Sequence, residues 1–317
     1  MLQECQREKA VNVNNIFVSS YSLNLSGSSS FADFEAEVEQ LASFFANAAS
    51  YNNVELCQDF LEYDLGGETL DDILFEISGY NDPIYTEMLK EISFLTKGKK
   101  KGTYSNIALS SSGYGEVWNG EFIGYYGQGK PIPNVHTNLV VNCASSLYAL
   151  NYKNLGEYPT NEASFINRSK LMFSNISYHE NIQSTLSTVK SGNFALYSVE
   201  FARTLEALHN AFPKLTNKGH YKPDLEIIKA ESGISGRTMD CTVQGSDKSA
   251  LKQDFDIITL SGDVSKHKKL NCEFHLKINF DNQGRKLTNG FYNRAYFGLP
   301  LINGKKYIAL LHLGKHL

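Results

Sequence analysis

Residues 272–279 read CEFHLKIN. Glu273, His275 and Lys277 alternate there with Phe274, Leu276 and Ile278. Successive side chains of a strand leave opposite faces, so one face of this segment is core and the other carries an acid, an imidazole and an ammonium in a row. Similar runs recur on either side, at residues 225–230, 238–243, 255–260, 294–297 and 307–313, each bounded by Gly, Asn, Asp or Ser clusters. Five or six strands with hairpin-length connections predict an antiparallel sheet domain over residues 216–317. The breaker-rich link LTNKGHYKP places its boundary near residue 215.

Upstream the pattern changes. Residues 31–92 hold 15 acids and one base, Lys90. Apolar residues there recur at helical spacing, first at Phe31, Phe34, Val38, Leu41, Phe44 and Phe45, then at Ile84, Met88, Ile92 and Leu95. These read as short amphipathic helices whose acidic side is either a solvated surface or a polyanion mimic that shields a basic partner. A Gly/Tyr/Trp-rich stretch, residues 102–140, reads as a small β segment in which Trp118, Tyr125 and Tyr126 either pack a sheet or stack a base. Helical periodicity returns to about Pro213, with Phe201, Leu205, Leu208 and Phe212 on one stripe. The expected class is therefore α+β: an acidic, mainly helical region over residues 1–215, then the basic antiparallel domain.

Charge sharpens the division. Residues 266–317 carry ten Lys/Arg against two acids, while residues 1–265 carry 20 against 32, and half of the eight histidines lie in the shorter segment. A cationic surface attracts polyanions, nucleic acid above all. No run of 18 apolar residues occurs and the N-terminal stretch lacks a signal peptide's apolar core, so the expectation is a cytoplasmic protein with no membrane partner. Five dispersed cysteines without a CxxC pair argue against a disulfide framework or a zinc knuckle, and no metal or cofactor is expected.

The C-terminal strands collect residues suited to one reaction. Metal-independent RNA cleavage needs a base for the 2′-hydroxyl, cations for the developing charge and an acid for the leaving oxygen. In this reading His275 and His312 share the acid–base work and Glu273 orients His275. Lys277, Arg294 and Lys315 hold phosphate, Tyr296 stacks on or hydrogen-bonds the substrate, and His316 lies beside it in the tail. RNA, or DNA, is the expected partner of this domain; a regulatory protein or a second copy is expected at the acidic region.

The stretch YNRAYFGLPLINGKKYIALLHLGKHL, residues 292–317, resembles the C-terminal hairpin of RelE/HigB-type bacterial toxins. The resemblance rests on Arg294, Tyr296, Phe297, Ile308, Leu310, Leu311, His312, Gly314 and Lys315. It implies a ribonuclease sheet of the barnase/RelE architecture and an endoribonuclease effector. The chain departs from those toxins in its length, its long acidic region and its lack of a lysine-rich extension. More loosely, the order ESGISGRTMD, CEFHLKI, RAYF, LLHLGKHL resembles uncharacterised bacterial anti-phage defence proteins. Two alternatives stay open. One is a metal-dependent DNase of the PD-(D/E)xK type using Asp256, Glu273, Lys277 and Glu231, although His275 stands where its second acid belongs. The other is a non-enzymatic nucleic-acid-binding or adaptor subunit.

Overall fold

The computed structural model describes residues 14–48, 52–97, 100–101, 105–106, 117–118, 121–128, 131–157, 161–233, 237–244, 249–288 and 292–317. The chain divides into two compact units, Met1–Tyr152 and Lys153–Leu317. Helices and sheets occur in both, so the mixed α+β class holds.

The first unit is built on a sheet. Strands β1 (Asn15–Val18), β2 (Asn53–Leu56), β3 (Lys100–Lys101), β4 (Val117–Trp118), β5 (Glu121–Tyr126) and β6 (Val140–Val141) form it in the order β3-β2-β1-β5-β4, with β6 also on β5. All pairings are parallel except β4 with β5. The helices α1 (Phe31–Ala48), α2 (Leu70–Ile77) and α3 (Asp82–Thr96) fall in the expected acidic segment. Local chemistry fixes their starts: the Thr69 hydroxyl and Asp72 cap one another reciprocally at α2, and the Asn81 side chain accepts from Ile84 N ahead of Pro83 at α3. Ile16, Phe17, Phe34, Leu41, Phe44, Leu74 and Ile123 meet in one core.

The expected helices are present, and a mostly parallel sheet joins them that extends beyond the small β segment expected at residues 102–140. β1 is four residues long and buried at every position, so it lacks the period-two alternation by which a half-exposed strand is recognised. Tyr125 and Tyr126 are core residues, 1% and 0% exposed, which removes base stacking from their roles. The side chain of Trp118 lies outside the described residues.

The second unit begins within α4 (Ala144–Glu157) and continues through α5 (Glu162–Met172), β7 (Ile176–Tyr178), α6 (Ile182–Leu186), α7 (Ser198–Ala211) and α8 (Lys222–Glu231). Then come β8 (Cys241–Val243), β9 (Lys252–Ile258), β10 (Val264–Asn271), β11 (Phe274–Ile278), β12 (Asn293–Gly298), β13 (Leu301–Ile302), β14 (Lys305–Lys306) and β15 (Ile308–Lys315). Five of these strands form one sheet, β7-β15-β12-β11-β8; β9 with β10, and β13 with β14, are separate hairpins. Four of the five are antiparallel, as expected, but β7 joins β15 in parallel, so the sheet is mixed.

That added strand explains why the boundary expected near residue 215 falls inside the second unit. Residues 176–178 complete the sheet, and the apolar stripe of α7, with Phe201, Leu205 and Leu208 at 0% exposure, belongs to this unit's core. Residues 225–230, expected as a strand, lie in α8: Pro223 sits in its first turn, and Leu225 and Ile228 are buried at i,i+3 spacing. Lys306 and Asp224 form a buried ion pair that ties β14 to α8, and Asp224 also accepts from Thr216 N at 2.7 Å.

Candidate functional site

Register brings the predicted residues of the sheet together. His275 on β11 is paired with Tyr296 on β12, which is paired with His312 on β15. Side chains directly opposite one another share a face. The ring centroids lie 5.2 Å apart for His275–Tyr296 and 5.9 Å for Tyr296–His312, and His316 lies 6.3 Å from Tyr296. One step along, Lys277 pairs with Arg294 and Arg294 with Gly314. Alternation therefore delivers His275, Tyr296, His312, Lys277 and Arg294 to one face.

Burial assigns them different chemistry from that expected. His275, Tyr296 and His312 are 5%, 0% and 4% exposed. His275 Nε2 lies 3.0 Å from the Thr242 hydroxyl on β8, and its Nδ1 is buried without a hydrogen-bond partner. His312 Nε2 donates to Lys315 O at 2.9 Å. Burial, reinforced by the Arg294 and Lys277 charges, pushes His275 down to about 4, and burial pushes His312 down to about 4. Both imidazoles are thus neutral near pH 7 and available neither as ready acids nor as strong bases.

Tyr296 is likewise enclosed, its hydroxyl accepting from Leu317 N at 3.3 Å and lying 3.4 Å from Gln244 Oε1. It has no exposed ring on which to stack a base. The group that holds His275 is the Thr242 hydroxyl, where the sequence had pointed to the Glu273 carboxylate. The strand at residues 238–243 was expected, but Thr242 and Gln244 were missed because a hydroxyl and an amide carry no charge or acid–base signal in the sequence. Thr242 is the register partner of His275, a pairing that strand alternation alone does not supply.

Arg294 is the anomaly. It is 7% exposed and forms no ion pair with a carboxylate among the described residues. Its Nη1 donates to Asn293 O at 3.1 Å, its guanidinium lies 5.3 Å from the Tyr292 ring centroid, and its Nε is buried without a partner. Burial lowers its pKa. The basic side chains near it are Lys277, whose nearest acid is Asp240 at a loose 3.9 Å, exposed Lys315 at the end of β15, and exposed His316. A desolvated guanidinium without a counter-charge costs several kcal/mol. Such a group is stabilised by an anion that arrives from outside.

The residues of the metal-dependent alternative are not gathered. Glu231 pairs with Lys214 at 2.6 Å and Asp256 with Lys266 at 3.9 Å. No group of three His, Cys, Asp or Glu among the described residues is arranged to hold a metal.

In the first unit, the carboxyl ends of β1 and β5 meet where the strand order reverses, a place where open α/β sheets commonly bind ligands. The polar groups there bond to one another: Ser20 Oγ donates to Phe60 O at 2.6 Å, Asn106 Nδ2 to Asp59 Oδ1 at 2.9 Å, and Ser22 Oγ to Tyr126 O at 2.6 Å. Cys143, exposed just before α4, is held down to about 7 by hydrogen bonds from Ser145 and Ser146. Sequence reading passed over these residues because no glycine-rich or CxxC motif marks them.

No protein-family model, curated protein or solved structure matches this chain. Among the described residues no helix is long and apolar enough to cross a membrane.

Proposed function

We propose that the second unit binds the phosphate backbone of nucleic acid at the β11–β12–β15 face, with Arg294 as the central phosphate ligand and Lys277, Lys315 and His316 around it. The observation that carries this reading is the buried, uncompensated Arg294 guanidinium. Charge supports it at larger scale: divided between Tyr152 and Lys153, the first unit holds 8 Lys/Arg against 19 Asp/Glu, and the second 22 against 15. The neutral imidazoles then hold the sheet face in register, and binding rather than turnover is the primary function. This places the non-enzymatic nucleic-acid-binding reading ahead of the RelE-like endoribonuclease.

Fluorescence anisotropy with a short labelled RNA and the matching DNA tests it. Arg294→Met is expected to weaken binding about tenfold or more, and affinity should fall steeply with added salt as counterions are released. Unchanged affinity in Arg294→Met would refute the assignment. Cleavage of the RNA in the presence of EDTA, abolished by His275→Ala or His312→Ala, would restore the endoribonuclease reading, with the buried histidines acting after a rearrangement.

A further inference from the structure

The five-stranded sheet has an open edge. β7 pairs with β15 on one side and with no described strand on the other. His179 N bonds Leu310 O across the paired edge, so strand alternation turns the Tyr178 N–H and C=O outward. An open strand edge is a row of unmade hydrogen bonds, and it pairs readily with another extended segment.

A groove runs along this edge. One wall is Ser177 and Tyr178 of β7; the other is Asp256 and Ile258 of β9 with Leu260 in the hairpin turn, and Tyr307 also lines the space, of about 500 Å³. A second cavity of about 270 Å³ shares Tyr178 and Asp256 with the first, so the two form one elongated cleft. Its far wall carries apolar yet solvated side chains: Ile258 and Leu260 are 68% and 65% exposed, two of the eight large apolar side chains exposed among the described residues. The second cavity is acidic, lined by Glu180, Asp254 and Asp256, with no Lys or Arg in its wall. The contacts these acids make elsewhere are a 3.9 Å pair between Asp256 and Lys266, both largely exposed, and a bond from Lys269 N to Asp254.

We infer that this cleft takes an extended peptide segment of a partner protein, added as a strand to β7. An apolar side chain of that segment lies against Ile258 and Leu260, and a Lys or Arg follows at the Glu180/Asp254/Asp256 end. The backbone edge supplies pairing and the two cavities supply side-chain selectivity, the two components of recognition by strand addition. The acidic end decides the polarity of the occupant: a basic peptide gains from three carboxylates, whereas an acidic one is repelled. The inference is independent of nucleic-acid binding at Arg294, since it uses no residue of that face.

The test uses the full chain and a displayed library of short extended peptides, randomised except for two terminal arginines. The best-binding sequence is then resynthesised with N-methyl groups on alternate amides, and separately with glutamate in place of arginine. Each change is expected to weaken binding about tenfold or more, equivalent to the loss of one well-made contact. Leu260→Asp, a change at an exposed position, should do the same, and the Tyr178 amide should become protected from hydrogen exchange when peptide is bound. No enriched sequence, or binding that is indifferent to N-methylation and to Leu260→Asp, would overturn the inference.

Discussion

The His275–Tyr296–His312 row makes stability depend on pH in a calculable way. Both imidazoles are held at about 4 in the folded chain, against the usual 6.5 for a solvated histidine. The unfolded chain therefore takes up protons that the folded chain refuses, and stability falls as pH drops below about 6.5, levelling off below about 4. At about pH 5 the unfolded state gains RT ln[(1 + 10^1.5)/(1 + 10^−1)], or ~2 kcal/mol for each imidazole and ~4 kcal/mol for the pair. Little of this is present at about pH 7.5, where both states are neutral. Urea unfolding at the two pH values, compared between wild type and His275→Gln, isolates one imidazole, because carboxylates that titrate in the same window are common to both proteins. The variant is expected to lose ~2 kcal/mol less than wild type on acidification. Equal losses in the two proteins, or an imidazole NMR signal of His275 that titrates near the solvated value, would refute the burial argument.

Three further outcomes follow from other features. Lys306→Met leaves Asp224 charged and buried without its cation, and should cost about 3–5 kcal/mol; Lys306→Met combined with Asp224→Leu should recover much of that loss, read from thermal melting. Gly314→Ala drives a methyl group to 2.4 Å from Thr185 O and 2.5 Å from Thr188 Oγ1, so the end of β15 must shift. Lower stability, about 1–3 kcal/mol by urea titration, is expected together with chemical-shift changes at His312. Among the described cysteines Cys143 should react first with iodoacetamide near neutral pH, because it is exposed and held down to about 7. Cys57 and Cys272 are buried and pushed up to about 12, and Cys241 is pushed higher still. Mass spectrometry of partly labelled protein reads the order directly.

The parts of the fold that sequence revealed are runs of β-branched, aromatic and aliphatic residues set between turn-forming clusters, although β11, β12 and β15 prove buried almost throughout. CEFHLKIN showed β11 by alternation, and NRAYF and the IALLHL run marked β12 and β15, so the gathering of His275, Tyr296, Arg294 and His312 was legible from parity alone. Solvation was not: His275, Tyr296 and His312 of that face are buried, and alternation reports which side a residue takes without reporting whether water reaches it. The acidic helices α1 and α3 were readable from their apolar spacing. The parallel strand NVEL between α1 and α2 was not, since so brief a run is tolerated equally well by a helix or a loop. EIIKA misled for a related reason, because β-branched residues outweighed the proline that starts α8. Thr242 and the edge strand β7 are separated from their partners by 33 and 132 residues in sequence, and no local pattern reports such pairings.

The position of β15 has a consequence for how the chain reaches its native state. It lies between β7, made some 130 residues earlier, and β12, so neither neighbour can complete its ladder until residues 308–315 are available. During synthesis the β7 edge must stay open through the production of more than 100 residues before β15 is made, whereas β12 waits only for the short segment that follows it; this is a topology of high contact order that folds slowly and exposes a pairing surface meanwhile. Interruption before residue 308 would remove an interior strand and leave a split sheet with its apolar face uncovered. Closure of the five-stranded sheet therefore waits on residues 308–315.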